Sequence, residues 1–201
     1  MLRIIVITIL FALIAGVLVL YFLPFIKKFL RRHYFRHYMG RKIYQIAHDN
    51  DYLLLQNLVL KVDNEHYAKF DHILFGNKYF YCICDKSYKG DVIGSYRDEI
   101  WQIYTSETNH QGIKNPLRVN QRRVEHFSLV TGIDKEMLIN IVVVNDDSLC
   151  SCIGLRSESV YICKASELKK LIYELESRNV PPFEDHELEK VVNQVAKLSA
   201  S

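Results

Sequence analysis

Twenty consecutive residues without a charge, Ile4 to Leu23 (IIVITILFALIAGVLVLYFL), constrain this chain more than any other feature. At about 1.5 Å per residue a helix of that length matches a hydrocarbon layer of roughly 30 Å. Thr8, Gly16 and Tyr21 do not interrupt it. A buried helix of a globular domain would carry a polar stripe, and this run has none. A cleaved signal peptide would have a shorter apolar region followed by small residues. Here Pro24, Phe25, Ile26, Lys27 and Lys28 follow instead. The expectation is an uncleaved transmembrane anchor over residues 1–26.

The flanks orient it. Only Arg3 and the amino terminus precede the run, whereas Lys27, Lys28, Arg31, Arg32, Arg36, Arg41 and Lys42 follow it. By the positive-inside rule this predicts a single-pass protein of the cell membrane, with its N-terminus outside and its C-terminal domain in the cytoplasm. Phe29, Leu30, Tyr34, Phe35 and Tyr38 interleave with the cations. Residues 27–42 therefore read as a basic interfacial helix on a bilayer with anionic headgroups, each cation contributing about 1 kcal/mol near the surface. Topology accounts for these residues without a nucleic-acid patch.

Charge separates this segment from the rest. Of 26 basic residues, 8 fall in residues 1–42, which hold no acid; the other 18 face 23 acids, a balance of −5. A domain that grips nucleic acid broadly is normally basic. Five cysteines, an odd number, suit free thiols in a reducing compartment. Cys82-x-Cys84 and Cys150-x-Cys152 each place two thiols on one face of a strand. Adjacent strands of that kind would offer four thiolates to zinc, although buried packing is the commoner use of cysteine.

Beyond residue 42 the pattern predicts a short helix through Ile43, Ile46 and Ala47, then strands over Tyr52–Val62, Phe70–Phe75 and Tyr79–Cys84. Shorter strands follow at Val92-Ile93 and Ile100–Tyr104. Asn115-Pro116 opens a helix to about Thr131, since proline suits a first helical position. Ile139–Val144 (INIVVV) reads as a strand buried on both faces and Val160–Cys163 as another. A helix from Ser166 ends before Pro181-Pro182, and a last helix spans residues 184–198. This order indicates an α/β or α+β fold around one mixed sheet from about residue 52 to 163.

Several landmarks in that order carry a resemblance. Asp71-His72 lies in a strand, and the segment YFYCICDKSYKG (residues 79–90) places Lys86 at a strand end before Tyr88-Lys89-Gly90. Gly94, the lone Trp101, Asn115-Pro116-Leu117, INIVVVN and SELKKLIYEL follow. Over residues 40–178 the chain resembles the NERD (nuclease-related) domain, a relative of restriction-type endonucleases found on bacterial membrane-anchored and signalling proteins. The resemblance implies a restriction-endonuclease-like mixed β-sheet flanked by helices over residues 43–180, with residues 181–201 forming a C-terminal helix.

In that family an Asp and a Glu-x-Lys strand build the catalytic site. Two carboxylates hold a divalent metal and the lysine stabilises developing charge. The resemblance assigns these roles to Asp71, Cys84 and Lys86, with Cys84 standing where the family has Glu. Asp85 points to the opposite face of a regular strand, and a thiol serves Mg2+ or Mn2+ poorly. Residues 41–47 also lack the family's helix Glu, and Val119 stands at its Gln position. The expectation is a retained fold with a remnant site, Asp71 its metal residue, no resident cofactor, and a binding or scaffolding role toward DNA, RNA or a cytoplasmic or membrane protein. The alternative is an active endonuclease using Mg2+ or Mn2+. Arg118 and Arg122, one turn apart on one helix face, are the candidate nucleic-acid contacts.

Overall fold

The computed structural model describes residues 2–61, 67–152 and 157–199. The polar turn expected at residues 63–65 lies outside them. Helix α1 runs Leu2–His33 and α2 runs Phe35–Asp49. The basic stretch 27–42 is thus not one helix: the break falls at Tyr34, whose φ −103° and ψ 21° leave the helical region. Among the described residues no helix is long and apolar enough to cross a membrane. The anchor expected over residues 1–26 is therefore not carried by the structure. Side chains 2–10, Ala12 and Ala15 lie outside the description.

Strands β1 (Leu53–Lys61), β2 (Tyr67–Phe75), β3 (Phe80–Lys86), β7 (Leu138–Val144) and β8 (Val160–Lys164) form a five-stranded sheet in the order β1-β2-β3-β7-β8. The first two pairings are antiparallel and the last two parallel. The remaining strands, β4 (Asp91–Ile93), β5 (Ile100–Tyr104) and β6 (His110–Lys114), form a separate antiparallel sheet. The single sheet expected over residues 52–163 is therefore two. Sequence pattern missed β6 (HQGIK), which has one apolar side chain and a central Gly112, so no alternation marks it.

Helix α2 buries Phe35, Met39, Ile43, Ile46 and Ala47, a stripe at helical spacing. It covers one face of the large sheet against Leu74, Tyr81, Ile83 and Ile141. Beside it lies α4 (Leu168–Glu176), which follows a 3-10 turn at Ala165–Glu167, so the helix expected from Ser166 begins two residues later. The other face receives α3 (Pro116–Thr131) and α5 (Asp185–Ser199) through Val124, Phe127 and Val195. In α3 the Asn115 side chain accepts from the N–H groups of Leu117 and Arg118 at 3.0 and 3.4 Å, and Gly132 ends the helix at φ 71°.

The small sheet packs on the end of the large one through Val92 and Trp101, against Cys84, Leu117, Val142 and Val144. Gly94 admits Trp101, since a Cβ there would collide with the indole. Trp101 Nε1 donates to the Ser95 carbonyl at 2.8 Å, and Asn115 Nδ2 donates to three carbonyls of residues 95–98. Three landmarks of the sequence resemblance, Gly94, Trp101 and Asn115, thus meet in one packing unit. Cys150 and Cys152 lie in a turn beside β4, not on a strand as their spacing suggested. The five cysteines are thiols outside any disulfide.

Candidate active site

Strand alternation fails at one point of the large sheet, and the site is built there. Leu55 and Leu58 meet the same core although three residues apart, as do Phe70 and Ile73 on the neighbouring strand. Between them stand Asn57 and Asp71, flanked by the pairs Gln56↔His72 and Leu58↔Phe70. Asn57 has φ 55°, a left-handed conformation that asparagine tolerates better than bulky residues do. Arg36, from the first turn of α2, donates through Nη2 to Asn57 Oδ1 at 2.7 Å and to Asp71 Oδ1 at 3.1 Å. Arg123, from α3, places Nη1 3.9 Å from Asp71 Oδ2. Guanidinium groups from helices on opposite faces of the sheet thus reach one carboxylate.

Cys84 joins this group. Arg123 Nη1 lies 3.7 Å from its Sγ, and the residue is 1% exposed. Burial pushes the thiol up to about 11; Asp71 adds to that, while Lys86 and Arg123 oppose it. The side chain is a neutral thiol at neutral pH. Lys86, two residues on, pairs with Val144 as Cys84 pairs with Val142, so both present the same face. The strand end is fixed by Asn145, whose side chain accepts from Tyr88 N–H at 2.7 Å and donates to the Tyr88 carbonyl at 3.2 Å.

Asp85 faces the other way, as strand geometry predicts. It lies 3.4 Å from His72 Nε2, with the two side chains only 6% and 3% exposed. Neither ring nitrogen of His72, nor Asp85 Oδ1, has a hydrogen-bond partner of good geometry.

Asp71, Cys84 and Lys86, grouped by sequence, are therefore brought together. Arg118 and Arg122 stand elsewhere on α3. They line a groove of about 450 Å³ with Tyr96, Arg97, Gln121 and Glu125, and Arg118 Nη1 lies 3.5 Å from Glu99. Sequence reasoning read Arg36 as a membrane-surface cation and gave Arg123 no part in this site. No signal marked Arg123: it lies three residues after Asn120, whose buried Nδ2 meets the Cys82 carbonyl at 2.9 Å only because α3 is seated on the sheet. Arg36 had none, because its position depends on the helix break at Tyr34. Asn120 and Gln121, next to the variant Val119, instead complete a buried network on Asn140.

A site for Mg2+ or Mn2+ needs several hard oxygen ligands. Asp71 offers one carboxylate, already engaged by two cations; Cys84 offers a neutral sulfur; Asp85 is turned to His72. These residues do not fit such an ion. Among the described residues no group of three or more His, Cys, Asp or Glu is placed to hold a metal.

The model of one family, described as the nuclease-related domain (NERD), matches residues 36–145, more than half of the chain. No curated protein and no solved structure matches it.

Proposed function

Because this chain belongs to the nuclease-related domain family, its departures from a cleaving site carry the meaning, and we propose that it is a non-hydrolytic, binding or scaffolding member. The observation that carries this reading is Cys84: a buried neutral thiol occupies the position from which a second carboxylate would face Asp71. The two guanidinium groups on Asp71 supply positive charge where the family's metal would sit. Its partner on this reading is a DNA, an RNA or a protein held without cleavage, and the acidic balance of residues 43–201 favours a protein.

The same proposal places the domain at a membrane, with the N-terminus outside and the domain in the cytoplasm. The 20-residue uncharged run supports attachment. So does the exposure of Phe11, Val17, Leu20 and Tyr21, each more than 60% accessible on α1. Retention in the membrane fraction after alkaline washing is expected, and release of the full chain would reject attachment.

The chemical test uses the full chain with DNA and with RNA in Mg2+ or Mn2+. No cleavage is expected. Cys84→Glu should raise metal affinity by returning an oxygen ligand beside Asp71. Metal-dependent cleavage by the unmodified chain, lost in Lys86→Ala, would sink the reading and establish the endonuclease alternative.

A further inference from the structure

On the α2 face of the sheet a groove of about 960 Å³ opens between α2 and strand β1. It lies behind the Asp71 cluster, with which it shares Arg36 and Asn57. Its lining includes Arg36, His37, Arg41, His48, Gln56 and His72, and no acidic residue. Its volume lies in the range of small-molecule sites. Arg36 spends Nη2 on Asn57 and Asp71, leaving the rest of its fork at the groove. Arg41 and His48 are exposed at the rim.

The floor gives the second observation. His72 is 3% exposed and lines the groove, yet neither of its ring nitrogens has a hydrogen-bond partner. A buried polar group left unpaired is costly, and native folds normally satisfy it with protein, water or a ligand. Asp85 stands 3.4 Å behind the ring and cannot satisfy the nitrogen that faces away from it. Gly40 faces the same floor: a Cβ there would make ordinary contact, 3.7 Å from Gln56 Nε2 and 3.9 Å from the His72 ring.

The geometry points to a binding site for a small phosphomonoester in this groove. Arg41, together with Arg36, whose charge is shared with Asp71, supplies the positive charge of a lining without carboxylates, which suits a phosphate anion. Arginine's planar fork matches phosphate oxygens, and His37, His48, His72 and Gln56 add donors around it. The phosphate belongs either to a soluble metabolite or to the headgroup of an anionic lipid, because Arg36 lies only three residues beyond the end of α1. Only the lipid source rests on the membrane reading.

The test is calorimetric titration of the full chain in detergent with glycerol 3-phosphate. Saturable binding is expected, weakened about tenfold or more in Arg41→Ala through loss of a charge-assisted contact. Gly40→Leu should abolish it by filling the groove, while Lys170→Ala, at an exposed residue of α4 outside the lining, should leave it unchanged. Arg41 is exposed, so its variant keeps the fold, which an unchanged thermal midpoint will verify. In nanodiscs, phosphatidic acid that suppresses binding of the soluble probe assigns the lipid headgroup, and unchanged binding assigns a soluble phosphomonoester. Absence of saturable binding, or binding equal in Arg41→Ala and Gly40→Leu, overturns the proposal whether or not the chain is membrane-attached.

Discussion

The two faces of strands β2 and β3 carry the same kinds of group one residue apart and handle them differently. Toward α3, Asp71 is surrounded by two guanidinium groups and a buried thiol; toward α2, Asp85 is set against a single buried imidazole. In the first cluster the side chain of Arg36 is 51% exposed and that of Asp71 16%, so water reaches it mainly through the arginine. The second is almost dry. A carboxylate next to solvent costs little to keep charged, whereas one in the interior depends on its partner. The contrast teaches that Asp71 belongs to an ion cluster open to water at one side, while Asp85, on the next strand, belongs to the core.

The largest effect should come from breaking the dry pair. His72→Leu leaves the buried Asp85 without the imidazole 3.4 Å away and should cost about 1–3 kcal/mol in urea unfolding. Adding Asp85→Leu should recover much of that loss, because an apolar pair of similar volume carries no desolvation penalty. No recovery would mean that the pair is held for another reason, such as the groove above it.

The next effect belongs to the α3 face and to pH. Burial raises Cys82 to about 12 and Cys84 to about 11 from an ordinary 9.0. Folding favours the protonated form of both. Their contribution is therefore fully present below about pH 9 and is lost as pH rises from there toward 11 and 12. By pH 10 the loss should be roughly 1 kcal/mol per thiol. Denaturant midpoints at pH 8 and pH 10 will measure it, and Cys84→Ala should remove roughly 1 kcal/mol of the difference, the rest belonging to Cys82, Cys152 and the buried tyrosines.

Removing the hydrated carboxylate should matter less. Asp71→Ala is expected to cost about 1 kcal/mol, since solvent already screens Arg36. A loss as large as that of His72→Leu would show the two faces to be equivalent after all. The smallest change is expected on the far side of α3. Arg118→Ala should stay within about 0.5 kcal/mol, because its partner Glu99 is 81% exposed in its side chain.

Much of the fold was legible in the sequence because the signals were local. Asn115-Pro116 starts α3 and Gly132 stops it, as capping preferences require. INIVVV became a strand buried at every position, its two faces entering different cores. The landmarks from Asp71 to Val144 pointed to the family whose model matches. The second sheet was not legible. Strand pairing joins residues distant in sequence, and β6 has too little apolar alternation to announce itself.

For the candidate site the division is sharper. Sequence alone determined that Asp85, adjacent to Lys86, faces away from it, because side chains alternate along a strand. Only the tertiary structure decided what surrounds Asp71. Arg36 reaches it through the helix break at Tyr34, Asn57 through a left-handed residue that upsets strand alternation, and Arg123 through the seating of α3 on the sheet. Periodicity and capping act over a few residues; these three approaches span 14 to 52 positions of chain and depend on how helices and strands pack.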